Sequence, residues 1–311
     1  MDISVIIPNY NGANLLKTNL PKVLSSLKNY TEGKTEIIVV DDGSTDESLK
    51  ILEDFKNKFS SLSIYQNEKN LGFSSTVNKG VSFAKGEIIL LLNSDVYPEA
   101  NFLKPLLANF KDEKVFAVGC LDKSMEGDKI ILRGRGLGEW KRGFLVHRRG
   151  EVDKKNTLWV SGGSSAFKKS VWDKLNGFNE IYDPFYWEDI DLSYRALKSG
   201  FKIIFEPKSI VVHEHEKGSI NSSINKSKVK TIAYRNQFIF VWENATDISL
   251  KLMHILWFPY HFVKALGRKD FDFVKGFFMA IIVIPKIIKS KFIYQSTFVN
   301  KDSEIINDYL I

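Results

Sequence analysis

Leu90-Leu91-Leu92-Asn93-Ser94-Asp95 decides how the rest of the chain reads. Three apolar residues end a strand, and a polar cluster with one carboxylate follows at once. An α/β protein places an acid at the carboxyl edge of its sheet in this way, where ligands bind. Two other clusters accompany it. Val39-Val40-Asp41-Asp42-Gly43-Ser44-Thr45-Asp46 ends an earlier strand, and Tyr186-Trp187-Glu188-Asp189-Ile190-Asp191-Leu192 adds carboxylates downstream. Together they point to a site for a metal-bound diphosphate and a base.

Working outward, the order of elements is that of an α/β fold. Ile3–Ile7 is a β-branched run closed by Pro8, hence a buried strand. Strands are expected at 36–40, 63–66 and 88–92, with helices at 15–27, 48–59 and 74–84 between them. Gly86 stops the last of these helices. Short joints between alternating elements predict a doubly wound, mostly parallel sheet. Beyond Asp95 a helix is expected at 102–110 and a strand at 115–120. A polar, Gly-rich stretch at 122–156 carries no assigned element. A strand at 165–168 and helices at 170–175 and 189–199 follow. Short strands at 201–205 and 210–212 come next, then a long helix at 223–242. A boundary near 244–248 divides the chain into a domain of residues 1–245 and a helical extension of residues 246–311.

Composition narrows the class. The 311 residues carry a net charge of +7 and a single cysteine, Cys120. One cysteine excludes an internal disulfide and any cysteine metal site, in keeping with a reducing cytosol. From Lys251 to Gln295, eight basic residues face two acidic ones, a net of +6. The excess charge therefore sits in the tail. No nucleic-acid motif accompanies it, and nucleic acid is not an expected partner. The N-terminus has no basic region or cleavage site and reads as a strand rather than a signal peptide. Gly134-Arg135-Gly136-Leu137-Gly138 is not the first strand-to-helix turn, so it is no dinucleotide loop, and no Walker loop is present.

Five motifs in order carry a resemblance. They are Ser4–Asn11, Ile37–Asp46, Asn70-Leu71-Gly72-Phe73 running through Asn78-Lys79-Gly80 to Gly86, Leu91–Asp95, and Glu188–Leu192 with His213. Over residues 3–242 the chain resembles the family 2 glycosyltransferases with the GT-A fold, and most closely their rhamnosyltransferase-like branch. The resemblance implies an inverting transferase. It would move one sugar from a nucleotide-diphospho-sugar (UDP-, dTDP- or GDP-linked) to a saccharide or lipid-linked saccharide in surface polysaccharide or glycolipid synthesis. The Gln-x-x-Arg-Trp signature of processive relatives is absent, which favours one addition per encounter.

Roles follow position by position. Asp41 and Asp42 can accept from a base N–H or a ribose hydroxyl, and the resemblance assigns them to the donor nucleoside. Pro8, Asn9, Tyr10 and Asn11 would line the same pocket with Asn70, Gly72, Asn78, Asn93 and Ser94. Tyr10 offers a ring for the base. The plainer account of Asp42–Asp46 is a turn and a helix cap. Asp95 matches the last acid of the family's metal motif, with Asn93 in place of the first. A carboxylate there suits Mg²⁺ or Mn²⁺. His213, or alternatively His215, would complete the metal site. The catalytic base is expected in the Glu188-Asp189 pair, with Asp189 favoured. The competing explanation is that acids suit a first helical turn. Trp159, Gly162, Gly163 and Trp187 are placed by the acceptor or diphosphate. Arg235 either contacts phosphate or makes a surface salt bridge.

In the tail, neither the apolar stretch 250–266 nor 277–284 reaches the ~20 residues of a spanning helix. Aromatic and basic margins suit an interfacial position on an anionic membrane. A helical pair that covers the catalytic unit or forms a homodimer is the alternative. The expected location is cytoplasmic, peripheral on the inner face of the cell membrane. The competing functions are a non-catalytic sugar-nucleotide-binding protein and a membrane scaffold.

Overall fold

A computed structural model describes residues 1–28, 30–214 and 225–310. His215 lies outside the described residues. Four parallel strands form one half of the main sheet. They are β1 (Ile3–Asn9), β2 (Thr35–Asp41), β3 (Leu62–Gln66) and β4 (Ile88–Leu92), and they pair in the order β3-β2-β1-β4. Alternation along these strands sets the layers. Ile3, Val5, Ile7, Leu90 and Leu92 face one core with helices α1 (Ala13–Leu27) and α2 (Ser48–Lys56). Ile6, Ile89 and Leu91 face a second core with Val77 and Val81 of α3 (Phe73–Ser82). Burial on both faces is why these strands read as unbroken apolar runs.

The rest of the sheet is mixed. It adds β5 (Val96–Pro98), β6 (Val115–Glu126), β7 (Lys129–Arg133), β10 (Ser164–Lys168) and β11 (Lys202–His213). Strand β10 runs antiparallel to both β4 and β6. Helix α4 (Leu103–Ala108) covers the first core. Helices α5 (Lys169–Lys174), α6 (Glu188–Lys198) and α7 (Lys226–Asn244) cover the second. The GT-A arrangement expected from sequence is present, a mostly parallel curled sheet flanked by helices with further helices after it.

Three local expectations need correction. Residues 122–156, given no element from sequence, hold strands. Strand β6 runs on to Glu126 and pairs with β7, and a separate hairpin forms from β8 (Gly136–Lys141) and β9 (Phe144–Arg149). These strands are half exposed, which is why their polar composition hid them. The two strands expected at 201–205 and 210–212 are one, β11, whose pairing with β6 shifts register between Glu206 and Ile210. The short strand β5 had no periodic signal in three residues.

After Ala245 come α8 (Ile248–Gly267), α9 (Phe271–Ile282), α10 (Ile284–Gln295) and α11 (Asp302–Ile306). Their inward residues Ala265, Phe273, Ala280, Ile287 and Ile305 join the same core as Phe238 and Phe240 of α7. Asp302 ties the end of the chain down. It accepts from Tyr194 at 2.7 Å and from the Thr246 amide at 2.7 Å, and it pairs with buried Lys198 at 3.1 Å.

Candidate active site

Parallel register brings three strand ends to one edge. Asn9 pairs with Asp41, and Ile6 with Leu91, so the residues after β1, β2 and β4 emerge together. They open on a cavity of about 560 Å³, a size suited to a small-molecule ligand. Pro8, Asn9, Tyr10, Asn11, Asp42, Asn70, Gly72, Asn93, Ser94, Asp95, Gly162, Gly163, Glu188, Asp189 and His213 all line it.

The nucleoside-side residues divide by what their side chains already hold. Asp42 is buried and accepts from the Asn67 amide at 2.8 Å, the Leu71 N–H at 2.9 Å and the Gly72 N–H at 3.0 Å. A carboxylate has about four acceptor positions. Asp42 thus fixes the 67–72 loop and keeps one position for the cavity. Asp41 does not reach the cavity. It accepts from Asn9 Nδ2 at 2.9 Å and the Ser44 N–H at 2.9 Å, and so locks the β1 and β2 ends together. Asn78 also points elsewhere, clamping α3 to Phe178 through a donated bond of 2.8 Å and an accepted one of 3.0 Å. Gly163 lets two walls meet. Its carbonyl accepts from the Asn93 N–H at 3.0 Å, and a Cβ there would come within 2.5 Å of the Asn93 amide.

Sheet pairing brings Asp95, Asp122 and His213 together. The β5 and β11 register sets His213 opposite Val96, next to Asp95, and Asp122 of β6 lies opposite Val211. His213 Nε2 is 3.2 Å from Asp95 Oδ2, and its Nδ1 is 2.8 Å from Asp122 Oδ2. Burial opposes charge on this imidazole. The two carboxylates outweigh it and push the ring up to about 10. The position therefore favours positive charge. Asp95 Oδ1 is buried without a hydrogen-bond partner. Such an orphaned oxygen beside an imidazole fits a divalent cation, with Asp122 orienting the histidine from behind. Among the described residues no three His, Cys, Asp or Glu side chains form a metal cluster. Among the described residues Asp95 and His213 are the pair that could hold such a cation.

The acid pair stands on another wall, at the start of α6. Asp189 accepts from the Gly162 N–H at 3.3 Å and from the Ile190 N–H at 2.8 Å. Glu188 Oε2 has no partner. Burial raises both carboxyls, and the neighbouring Asp189 charge lifts Glu188 well above the usual range. Two adjacent acids pushed apart in this way divide into one that ionises and one that keeps its proton. Asp189, with two N–H donors, is the better placed of the two to carry negative charge. Asp191 is wholly structural, since it is buried and bound to Arg195 at 2.7 Å.

A model of the family described as "Glycosyl transferase family 2" matches residues 4–175. The chain belongs to glycosyltransferase family 2. The O-antigen chain rhamnosyltransferase RfbN of Salmonella typhimurium is 26% identical over 221 residues, covering 69% of this chain and 67% of RfbN. That similarity bears out the rhamnosyltransferase-like reading. Among solved structures, GalNAc-T7 with UDP, GalNAc and Mn²⁺ aligns with a TM-score of 0.63 at 21% identity, over 78% of this chain and 48% of that one. S. aureus TarS 1-349 with UDP-GlcNAc aligns at 0.61 and 17% identity, over 99% and 91%. These likenesses establish the fold. The transferase is therefore an enzyme of the GT-A class, and a catalytic role is favoured over the binding-only and scaffold alternatives.

Several residues of the transferase do other work than the sequence suggested. Trp159 and Trp187 do not line the cavity. They pack edge-on to His147 of β9, at ring separations of 5.1 Å each. Arg235 is not among the residues that line the cavity. Its guanidinium donates to the carbonyls of Ile181 at 3.0 Å and Asp183 at 2.6 Å. Its neighbour Asn236 donates to those of Tyr182, Phe185 and Tyr186 at 2.8, 3.0 and 2.8 Å. The pair clamps the loop that delivers Phe185, Tyr186 and the acid pair to the cavity. Asp183 of this loop caps α3 by accepting from the Ser74 N–H at 2.8 Å. Sequence reasoning gave no site role to Asp122, Asp183 and the cavity-lining Phe73, Ser161 and Lys228. Asp122, an acid two residues past the expected strand at 115–120, was the signal that could have been followed.

Proposed function

We propose that this transferase inverts the anomeric centre, with Asp189 as general base and divalent-metal assistance at Asp95 and His213. The donor is a UDP-, dTDP- or GDP-sugar whose nucleoside lies against Tyr10 and Asp42. The acceptor is a hydroxyl of a saccharide or lipid-linked saccharide, met at the cytoplasmic face of the membrane. Similarity to a rhamnosyltransferase, and to structures holding UDP, UDP-GlcNAc and Mn²⁺, supports the donor class and the metal. The single observation that carries the reading is one cavity lined by three separate acidic positions: Asp42, Asp95 beside His213, and Glu188-Asp189.

The chemistry is one displacement. The acceptor oxygen attacks the anomeric carbon while its proton passes to the Asp189 carboxylate. The bond from that carbon to the diphosphate oxygen breaks, and its electron pair leaves on the nucleoside diphosphate. A divalent cation, when bound, offsets charge on that leaving group. Lys228 lines the cavity and can neutralise part of the same charge. Glu188, held protonated, adds no second negative charge beside the base. Because burial raises Asp189, the base is lost as pH falls through its raised value. The acid limb of the kcat/KM profile should therefore lie above the ordinary carboxylate range.

Asp189→Asn keeps the shape and removes the basicity. It should lower kcat by about 10²–10⁴-fold and leave nucleoside diphosphate affinity, read by calorimetry, unchanged. Glu188→Gln should be milder. An Asp189→Asn enzyme with normal turnover would remove the base assignment.

A further inference from the structure

The three helices α8, α9 and α10 bury one side and leave the other bare. On α8, Ile248, Leu252, Ile255, Leu256, Val263 and Leu266 recur at helical spacing along one stripe, and all are exposed. Helices α9 and α10 also leave Phe278, Ile282, Ile288 and Phe292 exposed. Leu256 and Ile282 are each 76% exposed and Phe292 79%, so these side chains contribute little to the fold. Exposed large apolar side chains gathered on three successive helices are the kind of surface that marks an interaction site.

The charges on these helices say what the partner is. Lys251, Lys264, Arg268, Lys269, Lys275, Lys286 and Lys289 are all exposed. The segment's two acids turn inward instead. Asp270 is held by Lys230 at 2.9 Å and Tyr234 at 2.8 Å. Asp272 accepts from Ser227 at 2.6 Å and Thr231 at 3.1 Å. Both are spent on α7, which leaves the outer face basic and apolar. At the turn between β8 and β9, Arg142 stacks over Trp257 and Tyr260 of α8, at 5.1 and 5.0 Å from the ring centres, and donates to the Tyr260 hydroxyl at 2.9 Å. Trp and Tyr beside cations at the edge of an apolar stripe suit the boundary between headgroups and acyl chains. Among the described residues no helix is long and apolar enough to cross a membrane. A second copy of this chain would set one +6 segment against another.

We propose that the outer face of α8–α10 lies flat on an anionic lipid bilayer, its apolar side chains in the interface and its lysines against the lipid phosphates. The surface concerns attachment only and goes beyond the sugar-transfer reading.

The test is co-sedimentation of the full chain with vesicles of phosphatidylcholine alone, or mixed equally with phosphatidylglycerol. The protein should partition onto the mixed vesicles, and less so as salt rises. Lys275→Gln with Lys289→Gln should weaken partitioning by about 25-fold or more, at about five-fold per charge lost. Ile282→Ser with Phe292→Ser should weaken it by about ten-fold or more. All four residues are exposed, so thermal stability should hold. Equal partitioning onto neutral vesicles, or none onto either kind, would overturn the proposal. So would a stable dimer in sedimentation velocity that Phe292→Ser dissolves, which would assign the face to a second copy. A thermal shift with UDP, GDP and dTDP reads the nucleotide pocket separately. Its failure would strike the transferase reading and leave the vesicle result standing.

Discussion

Replacing Asn236 with alanine tests whether the acid pair is held in place from a distance. Asn236 is fully buried in α7, and its two amide protons are shared among the carbonyls of Tyr182, Phe185 and Tyr186. That loop is strained. Tyr186 and Trp187 both adopt left-handed backbone, with φ of 73° and 78°. Each non-glycine residue so placed costs about 1–2 kcal/mol, so the pair stores about 2–4 kcal/mol. The amide bonds contribute about 0.5–1.5 kcal/mol each, and a buried carbonyl left unpaired costs a further ~1–3 kcal/mol. Asn236→Ala therefore removes an amount close to the stored strain. The loop should relax, carrying Glu188 and Asp189 with it. Stability should fall by about 2–4 kcal/mol in urea denaturation. A shift of about 1 Å in a catalytic group costs on the order of 10² in rate, so kcat should drop by that much or more. Nucleoside diphosphate affinity, measured by calorimetry, should stay within a few-fold, because Tyr10, Asp42 and Asn70 lie on other segments. A folded Asn236→Ala enzyme with full kcat, or one that loses affinity and turnover in equal measure, would refute the clamp.

Two further outcomes follow from buried carboxylates. Asp122→Asn should weaken Mn²⁺ binding in the presence of nucleoside diphosphate by about 10–100-fold, the usual cost of losing an orienting partner behind a ligating histidine. Electron paramagnetic resonance titration of free Mn²⁺ reads this directly, and unchanged affinity would remove Asp122 from the metal side. Glu243 is pushed up from 4.5 to about 8 by burial and the nearby Asp191 charge. The folded chain keeps that proton between pH 4.5 and 8 while the unfolded chain has released it. The group's stabilisation is therefore complete below pH 4.5 and is lost as pH rises through 8. Urea denaturation across this range should show a steeper decline for the native chain than for Glu243→Gln, and parallel slopes would contradict the assignment.

Much of the site was readable because its residues sit where a strand stops. Asn9, Asp42 and Asp95 each follow an apolar run, and parallel pairing carries strand ends to one edge whatever the detail of the loops. What could not be read is whether a polar side chain is spent inside the protein. Asp41 and Asp42 are adjacent and chemically identical, yet one bonds only to its own scaffold and the other faces the cavity. Asn78 of the third motif and Arg235 of the long helix hold loops, and sequence hides this because their partners Phe178 and Asp183 lie far away in the chain. Asp122 escaped notice since β6 appeared to end at Cys120. Only the pairing of β6 with β11 sets it behind His213. The β8–β9 hairpin, half exposed and rich in glycine, gave no alternation to follow. In the tail, charge and apolarity were visible in sequence. Which face they occupy depends on Ala265, Phe273 and Ile287 turning inward.

The most direct test of the central claim is the stereochemistry of transfer. Proton NMR of the first product formed from an α-linked nucleotide sugar resolves its anomeric coupling before any equilibration. A single displacement with Asp189 as base predicts a β-linked product, while an α-linked product would require a second displacement or a front-face path and would contradict the account.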